Sequence, residues 1–231
     1  MIIWISSYPK SGNTWVRLFL ESYFSKTKNN FRFGGFPELE DLEKLNLDYT
    51  NLNEIIKNWK TLQEVRNLDG RTNILKTHNA LCTIGKYTFT DKTNTLGAIY
   101  LVRDPRDIVV SYANHLGLSF DEVIKTMLNS HASGIKRFKD KEIDIEIMGN
   151  WADNYNSWKN YKGRNFLIIK YEDLVTNKEV EFLKILNYLK DLVKINVDIN
   201  QMKKSIEDTA FEKLKKKEEI HGVDQATGNG H

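Results

Sequence analysis

The sequence predicts an α/β domain of three layers, a mostly parallel sheet held between helices and opened by a P-loop-like strand–loop–helix. Three observations lead there. Short apolar runs alternate with segments whose apolar residues recur at helical spacing. The first run gives way to a glycine-containing loop and then to a helical pattern. Each polar cluster follows the carboxyl end of an apolar run, which is where doubly wound sheets bind ligands.

The elements follow in order. Ile2 to Ser6, with Trp4 among isoleucines, is apolar on both faces as a buried parallel strand should be. Pro9 and Gly12 then punctuate the chain, and from Thr14 the residues Trp15, Leu18, Phe19 and Phe24 mark a helix. Thr72 to Lys76 reads as a second strand and ends at Thr77-His78. Ala98 to Val102 is a third, which runs into Arg103-Asp104-Pro105 before a helix from Ile108 to His115. Trp151, Tyr155 and Trp158 form an amphipathic face at i, i+4, i+7. Behind it Asn165 to Lys170 is a fourth strand, running into Tyr171-Glu172-Asp173, and Val180 to Leu189 is a further helix. No repeat, low-complexity tract or linker divides residues 1–221, which we take as one domain. The small, polar, glycine-containing tail 222–231 is expected to be disordered.

Composition narrows the function classes. A chain of 231 residues can build its own core without staples. Its one cysteine, Cys82, excludes an internal disulfide and suits a cytoplasmic setting. No apolar run approaches the roughly 20 residues of a membrane span. The N-terminus lacks the basic region and cleavage site of a signal peptide. A net charge of +3 is compatible with anionic ligands but too weak to argue for a nucleic-acid partner. The run Lys213, Lys215, Lys216, Lys217 reads as a solvated helix face.

The chemistry is carried by three clusters. In Tyr8-Pro9-Lys10-Ser11-Gly12-Asn13-Thr14-Trp15, a loop between strand and helix can aim backbone N–H groups at an anion, with the helix dipole behind it. Lys10 adds a full charge, and Ser11 and Thr14 add hydroxyls. The lysine precedes the glycine, unlike the order in the nucleoside-triphosphate loop. The segment Pro9 to Trp15 closely resembles the 5′-phosphosulfate loop of cytosolic-type sulfotransferases, P-K-S-G-T-T-W, with Asn13 in place of a threonine.

Lys76-Thr77-His78 is similar to that family's K-[TS]-H segment, which implies that His78 is the general base. Neutral imidazole suits the removal of an acceptor proton near pH 7. His115, His131, His221 and His231 lack such a context and read as structural or surface residues. Arg103-Asp104-Pro105-Arg106-Asp107, continuing to Ser111-Tyr112, resembles R-[ND]-P-x-D-x-x-x-S-Y, in which the arginine and serine hold the donor's 3′-phosphate. The physics agrees, since arginine is the phosphate fork. Asp104 and Asp107 suit helix caps rather than catalysts. Tyr171-Glu172-Asp173-Leu174 and Thr209-Ala210-Phe211 resemble the segments that meet the adenine, and Trp15 is expected to stack on that base.

The resemblance implies a metal-free transfer from 3′-phosphoadenosine 5′-phosphosulfate, the donor cofactor, with adenosine 3′,5′-bisphosphate as product. Lys10 and Lys76 would neutralise charge on the sulfuryl and bridging oxygens. It runs from about Ile2 to Glu219. The family's late R-K-G-x-x-G segment has no counterpart; either the chain is a shortened form or Lys213 to Lys217 substitute in part. Two other readings stay open on the residues alone: a small-molecule phosphotransferase, and a nucleotide-binding module without transfer. The acceptor, small molecule or carbohydrate, is open as well. Phe31 to Phe36 could line its pocket or pack the core.

Overall fold

The structure, a computed structural model, describes residues 1–25, 30–48, 50–138, 141–163 and 165–210. The expectations for Phe211, for Lys213 to Lys217, for His221 and for the tail from Gly222 lie outside them.

The chain opens with β1 (Ile2–Ser7), α1 (Asn13–Phe24), β2 (Phe31–Gly35), α2 (Leu39–Lys44), α3 (Leu52–Asn67) and β3 (Thr72–Thr77). A two-residue hairpin follows, β4 (Thr83–Ile84) with β5 (Tyr87–Thr88), and then β6 (Thr95–Val102), α4 (Pro105–Leu116) and α5 (Phe120–Leu128). The last part contains β7 (Ser133–Phe138), β8 (Lys141–Ile147), α6 (Trp151–Lys159), β9 (Phe166–Lys170), α7 (Tyr171–Thr176), α8 (Lys178–Val193) and α9 (Ile199–Asp208).

The central sheet has the order β2-β3-β1-β6-β9, and every pair in it is parallel. β1 is its middle strand, which explains why all six of its residues are buried. Its side chains alternate between two cores. Ile3 and Ile5 join Val16, Phe19 and Leu20 of α1 and Phe182, Ile185 and Leu189 of α8. Ile2 and Trp4 face the other way, to Ile55, Trp59 and Leu62 of α3 and Trp158 of α6. The expected three layers follow from that alternation.

The four strands expected from sequence are present, the first and second one residue longer at their carboxyl ends and the third starting at Thr95. The segment 31–36, read as either pocket lining or core packing, contains the edge strand β2, paired to β3 from Phe31↔Thr72 to Gly35↔Lys76. Its aromatic rings pack inward: Phe31 lies 4.5 Å from Phe24, and Phe36 is fully buried 5.3 Å from Trp4. These phenylalanines therefore serve the core. A third apolar cluster caps the carboxyl end of the sheet, where Tyr8 packs with Ile108 of α4, Val123 and Met127 of α5, and Met148.

Candidate active site

The carboxyl ends of β1, β3, β6 and β9 lie side by side, and the sequence clusters stand on them. After β1 the chain turns sharply. Lys10 (φ 63°) and Gly12 (φ 94°) are both left-handed, and alternation of this kind is what curls successive amides into an anion-binding concavity. Glycine is required at position 12 for a second reason. A Cβ there would lie 2.7 Å from Cδ2 of Tyr171. Gly12 is also the N-cap of α1 and offers no side-chain cap, so the first-turn amides of α1 take no side-chain partner from the cap. Ser11 beside them is buried, and its Oγ has no hydrogen-bond partner among the described residues.

Arg103 arrives from the end of β6. Its Nη1 donates to the carbonyl oxygen of Lys10 at 3.0 Å, and its guanidinium carbon lies 4.3 Å from the centre of the Tyr171 ring. Its Nε is buried and has no partner among the described residues. Tyr171, the first residue of α7, is held in place from the neighbouring loop, because Glu172 Oε1 accepts the amide of Asp104 at 2.8 Å. Asp104 caps α4, its side chain accepting the amide of Arg106, and Asp107 sits in the first turn, as the sequence led one to expect. Loop, arginine and tyrosine thus form one constellation around Lys10, Gly12, Arg103 and Tyr171.

His78 follows the last residue of β3. The ring Nδ1 lies 2.7 Å from the backbone carbonyl oxygen of Ser7 and 3.3 Å from Ser7 Oγ. A carbonyl oxygen can only accept, so Nδ1 carries the proton and the lone pair of the neutral ring falls on Nε2. That tautomer can take a proton at Nε2. Lys76 sits two residues earlier, in register with Ile5 of β1 and Gly35 of β2.

Other expected site residues are placed differently. Asn13 turns its amide into the protein, donating to the Ile5 carbonyl at 2.9 Å and to Ser7 Oγ at 3.2 Å, so it braces β1 with its side chain. Trp15 is half-buried, edge-on to Phe182 at 5.5 Å and to Tyr171 at 6.5 Å. Its Nε1 has no partner among the described residues. Thr14 lies in the first turn of α1, and Ser111 lies half-buried in α4. Thr209 is the C-cap of α9 and donates its hydroxyl to the Ser205 carbonyl at 2.7 Å, so that group already has a structural partner.

Several contributors carried no sequence signal. Glu146 of β8 accepts the His78 amide at 2.7 Å, and Asn154 of α6 donates to the His78 carbonyl at 3.0 Å. Tyr112, already part of the Arg103 motif, is half-buried, and desolvation first, then the negative charge of Glu146, pushes its phenol up. Burial also pushes up the Tyr8 phenol and takes the Cys82 thiol to about 11, which leaves that cysteine unreactive near neutrality. Among the described residues no group of His, Cys, Asp or Glu is placed to hold a metal ion. None of the described helices is long and apolar enough to cross a membrane. A charged recess lined by Arg32, Asp41, Lys44, Arg66 and Arg71 lies at the amino ends of β2 and β3, away from these clusters.

A family model described as a sulfotransferase domain matches residues 2–224. The chain belongs to the sulfotransferase domain family. Rat sulfotransferase 1E1 is 27% identical over 220 residues, which are 91% of this chain and 65% of the rat protein. Cytosolic sulfotransferase 7 of Arabidopsis thaliana is 23% identical over 192 residues, 80% of this chain and 55% of that protein. Among solved structures, mouse sulfotransferase SULT7A1 complexed with PAP superposes with a TM-score of 0.61 at 21% identity, covering 93% of this chain and 65% of that one. Retinol dehydratase in complex with androsterone and inactive cofactor PAP gives 0.55 at 18% identity, over 98% and 69%. The sulfotransferase chain described here therefore spans just under two thirds of the rat and mouse proteins, and the structural likenesses establish the shared fold.

Proposed function

We propose that this sulfotransferase domain moves a sulfuryl group from 3′-phosphoadenosine 5′-phosphosulfate to an acceptor hydroxyl or amine and releases adenosine 3′,5′-bisphosphate. The observation that carries the reading is Arg103. It is tied to the loop carbonyl of Lys10 and stacked on Tyr171, yet its Nε lacks a partner, as does the hydroxyl of Ser11 in the same loop. Two buried, unsatisfied donors at one loop suit a ligand with two anionic groups, since an orphaned buried donor is costly unless a partner arrives.

The residues then divide the work. Ser11, Gly12, Asn13 and Thr14 present amides and hydroxyls to the 5′ end, and Arg103 with Ser111 takes the 3′-phosphate. Trp15, Tyr171 and Thr209 border the base. The donor supplies an activated sulfuryl group whose phosphate leaves as the acceptor oxygen or nitrogen bonds to sulfur. Lys10 and Lys76 offset the charge that gathers on the departing oxygens. His78 accepts the acceptor's proton at Nε2, and the Ser7 carbonyl keeps its own proton on Nδ1.

The acceptor is inferred to be a small molecule or carbohydrate. The similarity to a rabbit amine sulfotransferase supports a small-molecule acceptor. A cytoplasmic setting is inferred from the single cysteine, which fits a reducing compartment.

The test is a thermal shift with adenosine 3′,5′-bisphosphate, followed by a screen of desulfated acceptors with labelled donor. A ligand at 100 times its dissociation constant adds about 2.7 kcal/mol. No shift at millimolar bisphosphate would overturn the donor assignment.

A further inference from the structure

β3 ends at Thr77, so His78 is the first residue beyond the sheet, where a strand ordinarily loosens into loop. Here it is held at three points by three elements. The ring is fixed by the carbonyl of Ser7 at the end of β1. The His78 carbonyl accepts from Asn154 Nδ2 of α6 at 3.0 Å, and that amide also donates to the Met148 carbonyl at 2.9 Å, while its Oδ1 accepts from Tyr100. The His78 amide donates to Glu146 Oε1 at 2.7 Å, and the Thr77 hydroxyl reaches the same oxygen at 3.3 Å. Asn79 closes the ring of contacts, since its Oδ1 accepts the Ile147 amide of β8 and Trp158 Nε1 donates to its carbonyl.

Glu146 is the unusual member. It is 5% exposed, and burying a carboxylate costs far more than burying an amide. A tie between hairpin and strand end needs only a neutral acceptor, as Asn79 demonstrates one residue away. What a carboxylate adds is a shorter, stronger bond to the amide it holds.

We infer that Glu146 is a positioning residue for sulfuryl transfer, whose carboxylate fixes the His78 peptide so that Nε2 of the ring meets the acceptor in one place. The inference rests on His78 being the base. Reacting groups displaced by about 1 Å lose on the order of 10²-fold in rate, so a clamp on the main chain of a base has kinetic value even though it never touches substrate.

Two readouts test it. Nitrogen-15 spectra of histidine-labelled protein at pH 8 should show the His78 ring as the Nδ1–H tautomer in the wild type and as a mixture in Glu146→Ala. Glu146→Gln, which keeps an accepting oxygen without the charge, should give a spectrum between the two. Single-turnover transfer, to the first acceptor returned by a panel of phenols, amines and sugars, should fall about 10²-fold in Glu146→Ala. Affinity for adenosine 3′,5′-bisphosphate should stay as in the wild type. On a His78→Ala background the same substitution should cost nothing further, because the two residues act as one unit. A wild-type ring spectrum in Glu146→Ala, or an equal loss of rate on both backgrounds, would overturn the inference. If His78→Ala is slow while Glu146→Ala is fast, only the Glu146 role fails. If His78→Ala itself transfers at the wild-type rate, the base reading fails and takes this one with it.

Discussion

Arg103 Nη1 donates to the backbone carbonyl oxygen of Lys10 at 3.0 Å, joining residues 93 positions apart in the chain. That bond orients the guanidinium over Tyr171 and leaves Nε for a ligand. Arg103→Ala should therefore weaken binding of adenosine 3′,5′-bisphosphate more than binding of adenosine 5′-phosphosulfate, which lacks the 3′-phosphate. A charge-assisted contact is worth about 1.5–3 kcal/mol, or on the order of 10- to 100-fold. Calorimetric titration of both ligands measures the difference. Equal losses would show that Arg103 supports the loop without reading that phosphate.

Gly12→Ala should destabilise the fold as well as the site. At φ 94° a side chain is strained by roughly 1–2 kcal/mol, and the new Cβ would press on Tyr171 at 2.7 Å. Each 1 kcal/mol lowers the melting temperature of a domain this size by about 2–4 °C. Adding Tyr171→Ala should relieve the clash and leave the strain, so melting should recover only in part. Full recovery would mean that the left-handed backbone costs nothing here.

His78→Ala should leave bisphosphate affinity close to the wild type and cut turnover by about 10²–10⁴-fold, the usual value of a positioned general base. Lys10→Ala should lose both, because its charge meets the donor before and during transfer. A single-turnover assay at saturating donor separates the two variants. Equal rates for wild type and His78→Ala would remove the imidazole from the chemistry.

Asp104 predicts a pH effect. Its carboxyl is held at about 2, below the usual 3.8, first by the hydrogen bond from the Arg106 side chain and then by the Arg106 amide. A depressed carboxyl contributes stability above its unfolded value and loses it as pH falls through its folded value. Wild type should therefore melt above Asp104→Asn at neutral pH, with the gap closing between about pH 4 and pH 2. Melting curves across that range check it, and a gap independent of pH would assign the effect to the cap alone.

The sequence made the sheet legible because β1, β6 and β9 carry apolar runs that end in polar clusters, and β3 sets Ile74-Leu75 just before Lys76-Thr77. β2 escaped because Arg32 and two glycines interrupt its apolar run, and only its place at the sheet edge beside β3 makes it a strand. The phosphate loop, Arg103 and Tyr171 were legible as motifs, and the contacts among Lys10, Gly12, Arg103 and Tyr171 give those motifs a shared geometry. What could not be read was the support behind His78. Glu146 and Asn154 lie in a hairpin and a helix far along the chain, and no local pattern announces a side chain that will cap another strand. The place of the Asn13 side chain was hidden for a related reason. A buried strand end takes its side-chain amide, a contact that no local pattern announces.

Because β1 is the middle strand, it cannot pair on either side until later residues have been synthesised. Its partners are β3 and β6, and the latter is complete only at Val102. The stacking partner of Arg103 comes later still, at Tyr171. At roughly 5–20 residues per second, the nascent apolar strand waits for about 5–20 seconds before both edges are covered. Parallel pairing across such separations is intrinsically slow as well. The arrangement that puts the phosphate loop at the centre of the sheet thus creates a synthesis-time interval in which Ile2 to Ile5 are exposed. The yield of folded protein should depend on translation speed and on chaperones that bind extended apolar segments.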